Sequence, residues 1–127
     1  MGQLSAFRFV AAGGVVGALI RWATISSVSV EHATEVTFAI NVAGSFLLGL
    51  FVGLRLTRTA RQRLTHNQFL LLGAGFCGSL TSFSTFALQM AQLLENGAAL
   101  HTLAASLGTA VATVVIAGIG YRIGSRP

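Results

Sequence analysis

Charged residues are scarce in this chain, and two of the charged residue types are absent. Only 9% of the 127 residues are charged, and the sequence contains no lysine and no aspartate. A water-soluble domain usually carries about 25% charged residues. Hydrophobic residues instead make up 54% of the chain. This composition excludes an ordinary soluble domain and predicts an integral membrane protein.

Acidic residues number only three, and none lies inside a long apolar run. The three are Glu31, Glu35 and Glu95. A small four-helix multidrug/proton antiporter, the runner-up function, needs an ionisable carboxylate within the membrane. Their placement between apolar runs therefore counts against that class. Glu31 and Glu35, with His32, form a weak metal-site pattern, and a solvated external loop is the favoured interpretation.

The chain has a single cysteine and no cluster of residues typical of catalysis. Cys77 lies in the middle of an apolar run, which excludes a disulfide framework and favours a small apolar packing role. No nucleophile and base could meet in the bilayer. We therefore expect a protein that is not an enzyme.

Four apolar stretches are long enough to span a bilayer, which takes about 20 residues. They cover residues 8–28, 36–54, 68–94 and 102–121. The sequence thus predicts an all-α membrane protein with a single domain, 1–127, of four transmembrane helices.

Arginine accounts for the net charge of +5, and its positions indicate orientation rather than nucleic-acid binding. Cytoplasmic loops are enriched in arginine and lysine. Seven of the eight arginines fall at the two termini or between the second and third spans, which predicts a plasma-membrane protein with both termini in the cytoplasm. These seven are Arg8, Arg55, Arg58, Arg61, Arg63, Arg122 and Arg126.

The third span contains residues that weaken a helix, between Gly73 and Phe86. Each glycine costs about 1 kcal/mol relative to alanine, and hydroxyl side chains compete for backbone hydrogen bonds. Backbone groups that lose their helical hydrogen bonds at membrane depth must be buried in protein or line a water-filled cavity. We expect a break near the middle of this helix, at an interface, whose carbonyl groups could hold a cation.

Aromatic residues after this expected break have two possible roles. Phe83 and Phe86 are three residues apart and share a face of a helix. Core packing is the usual role of such a pair. The positive ring edges could instead accept a small anion in a dry passage.

Polar residues in the other spans also leave two interpretations open. Asn41 shares a helix face with Thr37 and Ser45, and either forms a structural hydrogen bond or donates to an anion in a pore. Arg21 either snorkels to the interface or lines a vestibule that attracts anions. A stripe of hydroxyl residues favours a wet or partnered face on the fourth helix. It consists of Thr102, Ser106, Thr109 and Thr113.

Three motifs in this chain resemble those of the Fluc/CrcB family of fluoride channels. Gly13–Trp22 reads Gly-Gly-x-x-Gly-Ala-x-x-Arg-Trp, and Asn41–Gly49 reads Asn-x-x-Gly-Ser-Phe-x-x-Gly. Gly75–Phe86 reads Gly-x-x-Gly-x-x-Thr-Ser-Phe-Ser-Thr-Phe, with Ser82 where the family has a second threonine. The third motif is the most specific, and the resemblance extends over essentially the whole chain.

The resemblance implies a passive fluoride exporter that relieves fluoride toxicity and assembles as an antiparallel dimer. The dimer would hold a structural sodium ion at its centre through the carbonyl groups of Gly78 and Thr81. The fluoride pore would be lined by Asn41, Phe83, Phe86, Ser84 and Thr85, with Ser106, Thr109 and Arg21 as further candidates.

The partner in that dimer could be this chain itself or a paralogue inserted in the opposite orientation. The strong arginine asymmetry is the reason to consider a paralogue. A subunit that assembles without transporting anything is a further alternative, which the polar stripes disfavour.

Overall fold

The computed structural model describes residues 2–56 and 64–126, and these residues form helices joined by short connections. Four helices in this part of the chain are long and apolar enough to cross a membrane. This confirms an all-α protein with four apolar helices. Arg58, Arg61 and Arg63 lie outside the described residues. The four helices are helix 1, Gln3–Ser26; helix 2, Ala33–Leu56; the third span, His66–Glu95; and helix 4, Ala99–Gly124.

The third span consists of two segments. Helix 3a covers residues 66–80 and contains a wide π-helical stretch, Leu70–Cys77, between short α-helical turns. Thr81 and Ser82 then have extended backbones, with ψ angles of 150° and 108° in place of the helical value near −42°. Helix 3b, Phe83–Glu95, follows directly. Gly73, Gly75 and Gly78, which suggested the break, therefore remain helical, and the helical hydrogen-bond ladder stops just after them.

Helix 1 packs closely on helix 3a because small residues face each other. A Cβ atom on Gly13 would overlap the carbonyl oxygen of Leu71, and one on Gly17 would overlap that of Phe76. A Cβ atom on Gly75 would likewise overlap the carbonyl oxygen of Val10 on helix 1. Such contacts between small residues let membrane helices approach closely. The GxxxG pattern of helix 1 thus serves packing against helix 3a.

Helix 2 and helix 4 form the other close pair. Gly49 approaches the carbonyl of Ala117, and Gly120 approaches the carbonyl of Phe46. One turn further along helix 2, Gly53 approaches the carbonyl of Tyr121, which lies one turn further along helix 4, so the two helices run parallel. Both therefore begin at the same end of the bundle.

Charges separate between the two ends of the bundle. Helix 1 starts, and helices 2 and 4 finish, at the end that carries arginines. The opposite end carries the three glutamates. The described arginines of the first end are Arg8, Arg55, Arg122 and Arg126.

Candidate functional site

Asn41 on helix 2 binds the extended backbone of the third span. Its Oδ1 atom accepts a hydrogen bond from the Ser82 N–H at 2.8 Å, and its Nδ2 atom donates to the Ser82 carbonyl at 3.4 Å. Asn41 is 8% exposed and Ser82 is 7% exposed. In a continuous helix the Ser82 N–H would bond the carbonyl of Gly78. Asn41 therefore forms the structural hydrogen bond that the sequence left as one of two possibilities.

Ser82 in turn caps helix 3b. Its Oγ atom accepts a hydrogen bond from the Thr85 N–H at 3.1 Å and donates to Thr85 Oγ1 at 2.8 Å. The Ser84 hydroxyl lies 3.2 Å from the same oxygen. Serine is a preferred N-cap because its side chain satisfies a free N–H of the first turn. This role of Ser82 was not predicted from the sequence, although a serine directly before a helical segment is a known signal for it.

Thr81 and Ser82 form the interruption of the third span. A cleft of about 610 Å³ opens beside this interruption, between helices 2, 3b and 4. It brings together most of the residues that were predicted to line a pore, and it adds Ser45, Thr113 and Met90. Ser84 and Thr85 are absent from its lining because they surround the Ser82 hydroxyl. No charged residue of the described chain lines the cleft. Its lining consists of Asn41, Ser45, Thr81, Ser82, Phe83, Phe86, Ala87, Met90, Ser106, Thr109, Ala110 and Thr113.

The two phenylalanines of the cleft contact each other. The ring centroids of Phe83 and Phe86 are 6.3 Å apart and the ring planes are tilted by 45°. Phe83 is 81% exposed in the isolated chain, whereas Phe86 is half-buried. Such rings can direct positive edges into the cleft. This pair therefore offers weak, uncharged attraction to an anion.

Arg21 reaches the interruption but does not line the cleft. Its Nη1 atom donates to the carbonyl oxygen of Thr81 at 3.3 Å. The side chain of Thr81 donates to the carbonyl of Cys77 at 3.0 Å, within helix 3a. Gly78 lies one turn upstream, and a Cβ atom placed there would meet nothing within 4 Å. The backbone at Gly78 thus faces open space in the single chain.

A second contact joins helix 3b to helix 2. Gln89 Nε2 donates to Thr37 Oγ1 at 3.0 Å, and Thr37 is only 2% exposed. Thr37 was recognised as sharing a face with Asn41, but no pattern in the sequence pointed to Gln89 as its partner. The polar face of helix 2 therefore anchors helix 3b at two levels.

A cavity of about 400 Å³ adjoins the cleft on the side of the glutamates. The cleft and the cavity share Phe86, Met90 and Thr109 in their linings. The metal site considered for Glu31, His32 and Glu35 is not assembled. The His32 ring pairs with the Ser29 hydroxyl at 2.9 Å, and no metal-binding group of three such side chains occurs in the described residues.

A known protein family matches this chain over most of its length. Residues 8–121 match the model of the family described as CrcB-like protein, Camphor Resistance (CrcB). The match includes every residue of the cleft.

Individual relatives are similar along most of their length. A Streptomyces avermitilis protein named fluoride-specific ion channel FluC 1 is 41% identical, over 83% of this chain and 90% of the relative. A Rhodococcus jostii protein named FluC 2 is 38% identical, over 91% and 96% of the two chains. A Serratia proteamaculans protein named FluC is 33% identical, over 95% and 94%.

Proposed function

Because this chain belongs to the CrcB-like protein family, we propose that it is a fluoride-selective channel through which cytoplasmic fluoride leaves the cell passively. The observation that carries the proposal is the uncharged cleft, where hydroxyl groups and two phenylalanine rings lie beside Asn41 within the spans. Family membership also makes the chain a transport protein and not an enzyme.

The lining of the cleft suits a small, strongly hydrated anion. Fluoride must exchange its water for several donors, and the hydroxyl groups of Ser45, Ser106 and Thr109 are available there. Among the described residues, no lysine or arginine lines the cleft, so none holds the anion too tightly. No carboxylate of the described residues lines it either, so none repels the anion or carries a proton. The last point also disfavours the antiporter alternative.

The export role can be tested in bacteria that lack their own fluoride exporter. Fluoride enters such cells as neutral HF and is trapped inside as the anion, and acidic medium increases this entry. Expression of the chain should restore growth at an otherwise inhibitory fluoride concentration, most clearly in acidic medium. Chloride tolerance should not change. Continued sensitivity to fluoride, with the protein present in the membrane fraction, would contradict the proposal.

The proposed channel is an antiparallel dimer, formed with a second copy or with an oppositely oriented paralogue. The 81% exposure of Phe83 and the open surroundings of Gly78 support a partner at the interruption. The arginines at one end of the bundle support a plasma-membrane orientation with both termini in the cytoplasm.

The proposed dimer also holds a structural sodium ion through the carbonyl groups of Gly78 and Thr81. The local hydrogen bonds support this role. Asn41 takes the N–H that would bond the Gly78 carbonyl in a helix, and Ser82 takes the N–H of Thr85 that would bond the Thr81 carbonyl. In the single chain the Thr81 carbonyl accepts a hydrogen bond from Arg21 instead, which a sodium ion would have to displace or share. Carbonyl oxygens withdrawn from a helix ladder are suitable ligands for a hard cation.

Sodium should therefore stabilise the purified protein. At a concentration about 100 times the dissociation constant, a bound ion contributes roughly 2.7 kcal/mol. We expect the thermal transition in detergent to lie several degrees higher in sodium chloride than in an equal concentration of potassium chloride. Identical transitions in the two salts would contradict a selective sodium site.

A further inference from the structure

The cavity that adjoins the cleft ends in acidic side chains. Glu31 lies in the short turn Val30–His32, and Glu35 lies in the first turn of helix 2. Both line the cavity together with His101, which is in the first turn of helix 4. Helices 2 and 4 run parallel and begin at the same end. These three side chains therefore surround one opening at the end of the bundle.

This opening adjoins the uncharged cleft. Phe86, Met90 and Thr109 border both spaces. On a route from Asn41 past Phe86 and Thr109, an ion would enter the cavity and leave beside Glu31 and Glu35. Both glutamates are exposed to solvent. The cleft and the cavity therefore lie next to each other between the middle of the span and the end that carries the glutamates.

Two carboxylates at the mouth of an anion route are unfavourable for the anion. No arginine of the described chain lines this cavity, so within one chain no full positive charge offsets them. The low-dielectric walls of a cleft focus such a field and change the local ion concentration. Carboxylates favour cations at a channel mouth and disfavour anions.

We propose that Glu31 and Glu35 form an electrostatic barrier at the mouth of the route and so limit the rate at which fluoride passes. The proposal rests on the proposed fluoride channel function. Phe83 and the hydroxyl groups of the cleft select the anion, whereas these two carboxylates set how fast it moves. The barrier acts through space, so salt must weaken it.

The chain offers a matched control for this barrier. Glu95 is the remaining acidic residue and lies at the same end, at the last position of helix 3b. It lines neither the cleft nor the cavity. Removing its charge changes the net charge of this end without changing the mouth.

The experiment compares fluoride flux through the full-length chain in liposomes, at low and high concentrations of an impermeant salt. The variants are E31Q, E35Q, E31Q/E35Q and the control E95Q. At about 10 mM ionic strength, where the screening length is about 30 Å, we expect the double variant to conduct roughly three- to tenfold faster than the unmodified chain. Each single variant should give part of that increase, and E95Q should give little. At about 1 M ionic strength, where the screening length is about 3 Å, the difference in flux between the double variant and the unmodified chain should disappear.

Three results would overturn the proposal. The double variant could conduct no faster than the unmodified chain, E95Q could produce the same increase, or the increase could persist at high salt. A chain without any fluoride flux would overturn both the barrier and a channel formed by two copies of this chain. An unmodified chain that conducts and a double variant that conducts equally fast would overturn the barrier alone.

Discussion

Replacing Phe86 with isoleucine should reduce fluoride efflux from liposomes by at least roughly tenfold, because the change removes a ring edge while it largely keeps the side-chain volume. Phe86 borders both the cleft and the adjoining cavity, so an ion on the proposed route must pass it. Phe86 also contacts Phe83, and isoleucine would leave that ring without its aromatic neighbour. Efflux is measured with a fluoride electrode.

The matched control for this change is isoleucine at Phe7. Phe7 is 69% exposed on helix 1 and lies outside both the cleft and the cavity. That variant should conduct like the unmodified chain. If Phe86→Ile also conducts normally, the ring edges do not contribute to the passage of fluoride, and the assignment of the pore to this cleft is wrong.

Alanine at Asn41 should abolish both fluoride efflux and the stabilisation by sodium. Without Asn41 Oδ1, the buried Ser82 N–H either remains unpaired, at a cost of about 1–3 kcal/mol, or returns to the Gly78 carbonyl. The second outcome would extend helix 3a and remove a proposed sodium ligand. Efflux and the sodium-dependent shift of the thermal transition are the two measurements.

Aspartate at the same position separates two functions of Asn41: the hydrogen bond that it accepts from the Ser82 N–H and the donation to fluoride that is proposed for its amide. A carboxyl group keeps an oxygen acceptor for the Ser82 N–H but loses the donor of the amide. Asn41→Asp should therefore retain the response to sodium and lose fluoride efflux. If Asn41→Ala kept a normal sodium response, the side chain would not be what holds the backbone of Ser82 away from Gly78.

Composition and periodicity were sufficient to predict the four helices. The scarcity of charge and the lengths of the apolar runs specify spans, and glycine spacing specifies where helices approach closely, as at Gly13 and Gly17. Five of the twelve residues that line the cleft had been predicted for the pore, and three of them, Asn41, Phe83 and Phe86, lie in recognisable motifs. Ser106 and Thr109 followed from the hydroxyl stripe of helix 4.

The position at which the helix ladder stops could not be read from local propensity. Gly75 remains helical, within the wide π-helical stretch, and lies against helix 1 at Val10. The ladder stops at Ser82, where a side chain 41 positions away supplies the competing acceptor. Local preferences contain no information about such a long-range partner. Ser84 and Thr85 surround the cap of helix 3b in the single chain, and their place in the pore stays a prediction.

The glutamates illustrate a different limit of sequence reasoning. Glu31 and Glu35 were interpreted as residues of a solvated loop, which is correct for their exposure. Their position at the mouth of a cavity depends on the parallel packing of helices 2 and 4. That packing brings His101 to the same opening, and no spacing along the chain indicates it.

The measurement that tests the central claim most directly is anion efflux from liposomes that contain this purified chain alone. The vesicles are loaded with fluoride or with chloride, and release is followed with ion-selective electrodes after the membrane potential is clamped by a potassium ionophore. The proposed channel predicts rapid fluoride release while chloride is retained. Equal release of the two anions, or no fluoride release from protein that still shows a sodium-dependent thermal transition, would contradict the claim that this chain by itself forms a fluoride-selective channel.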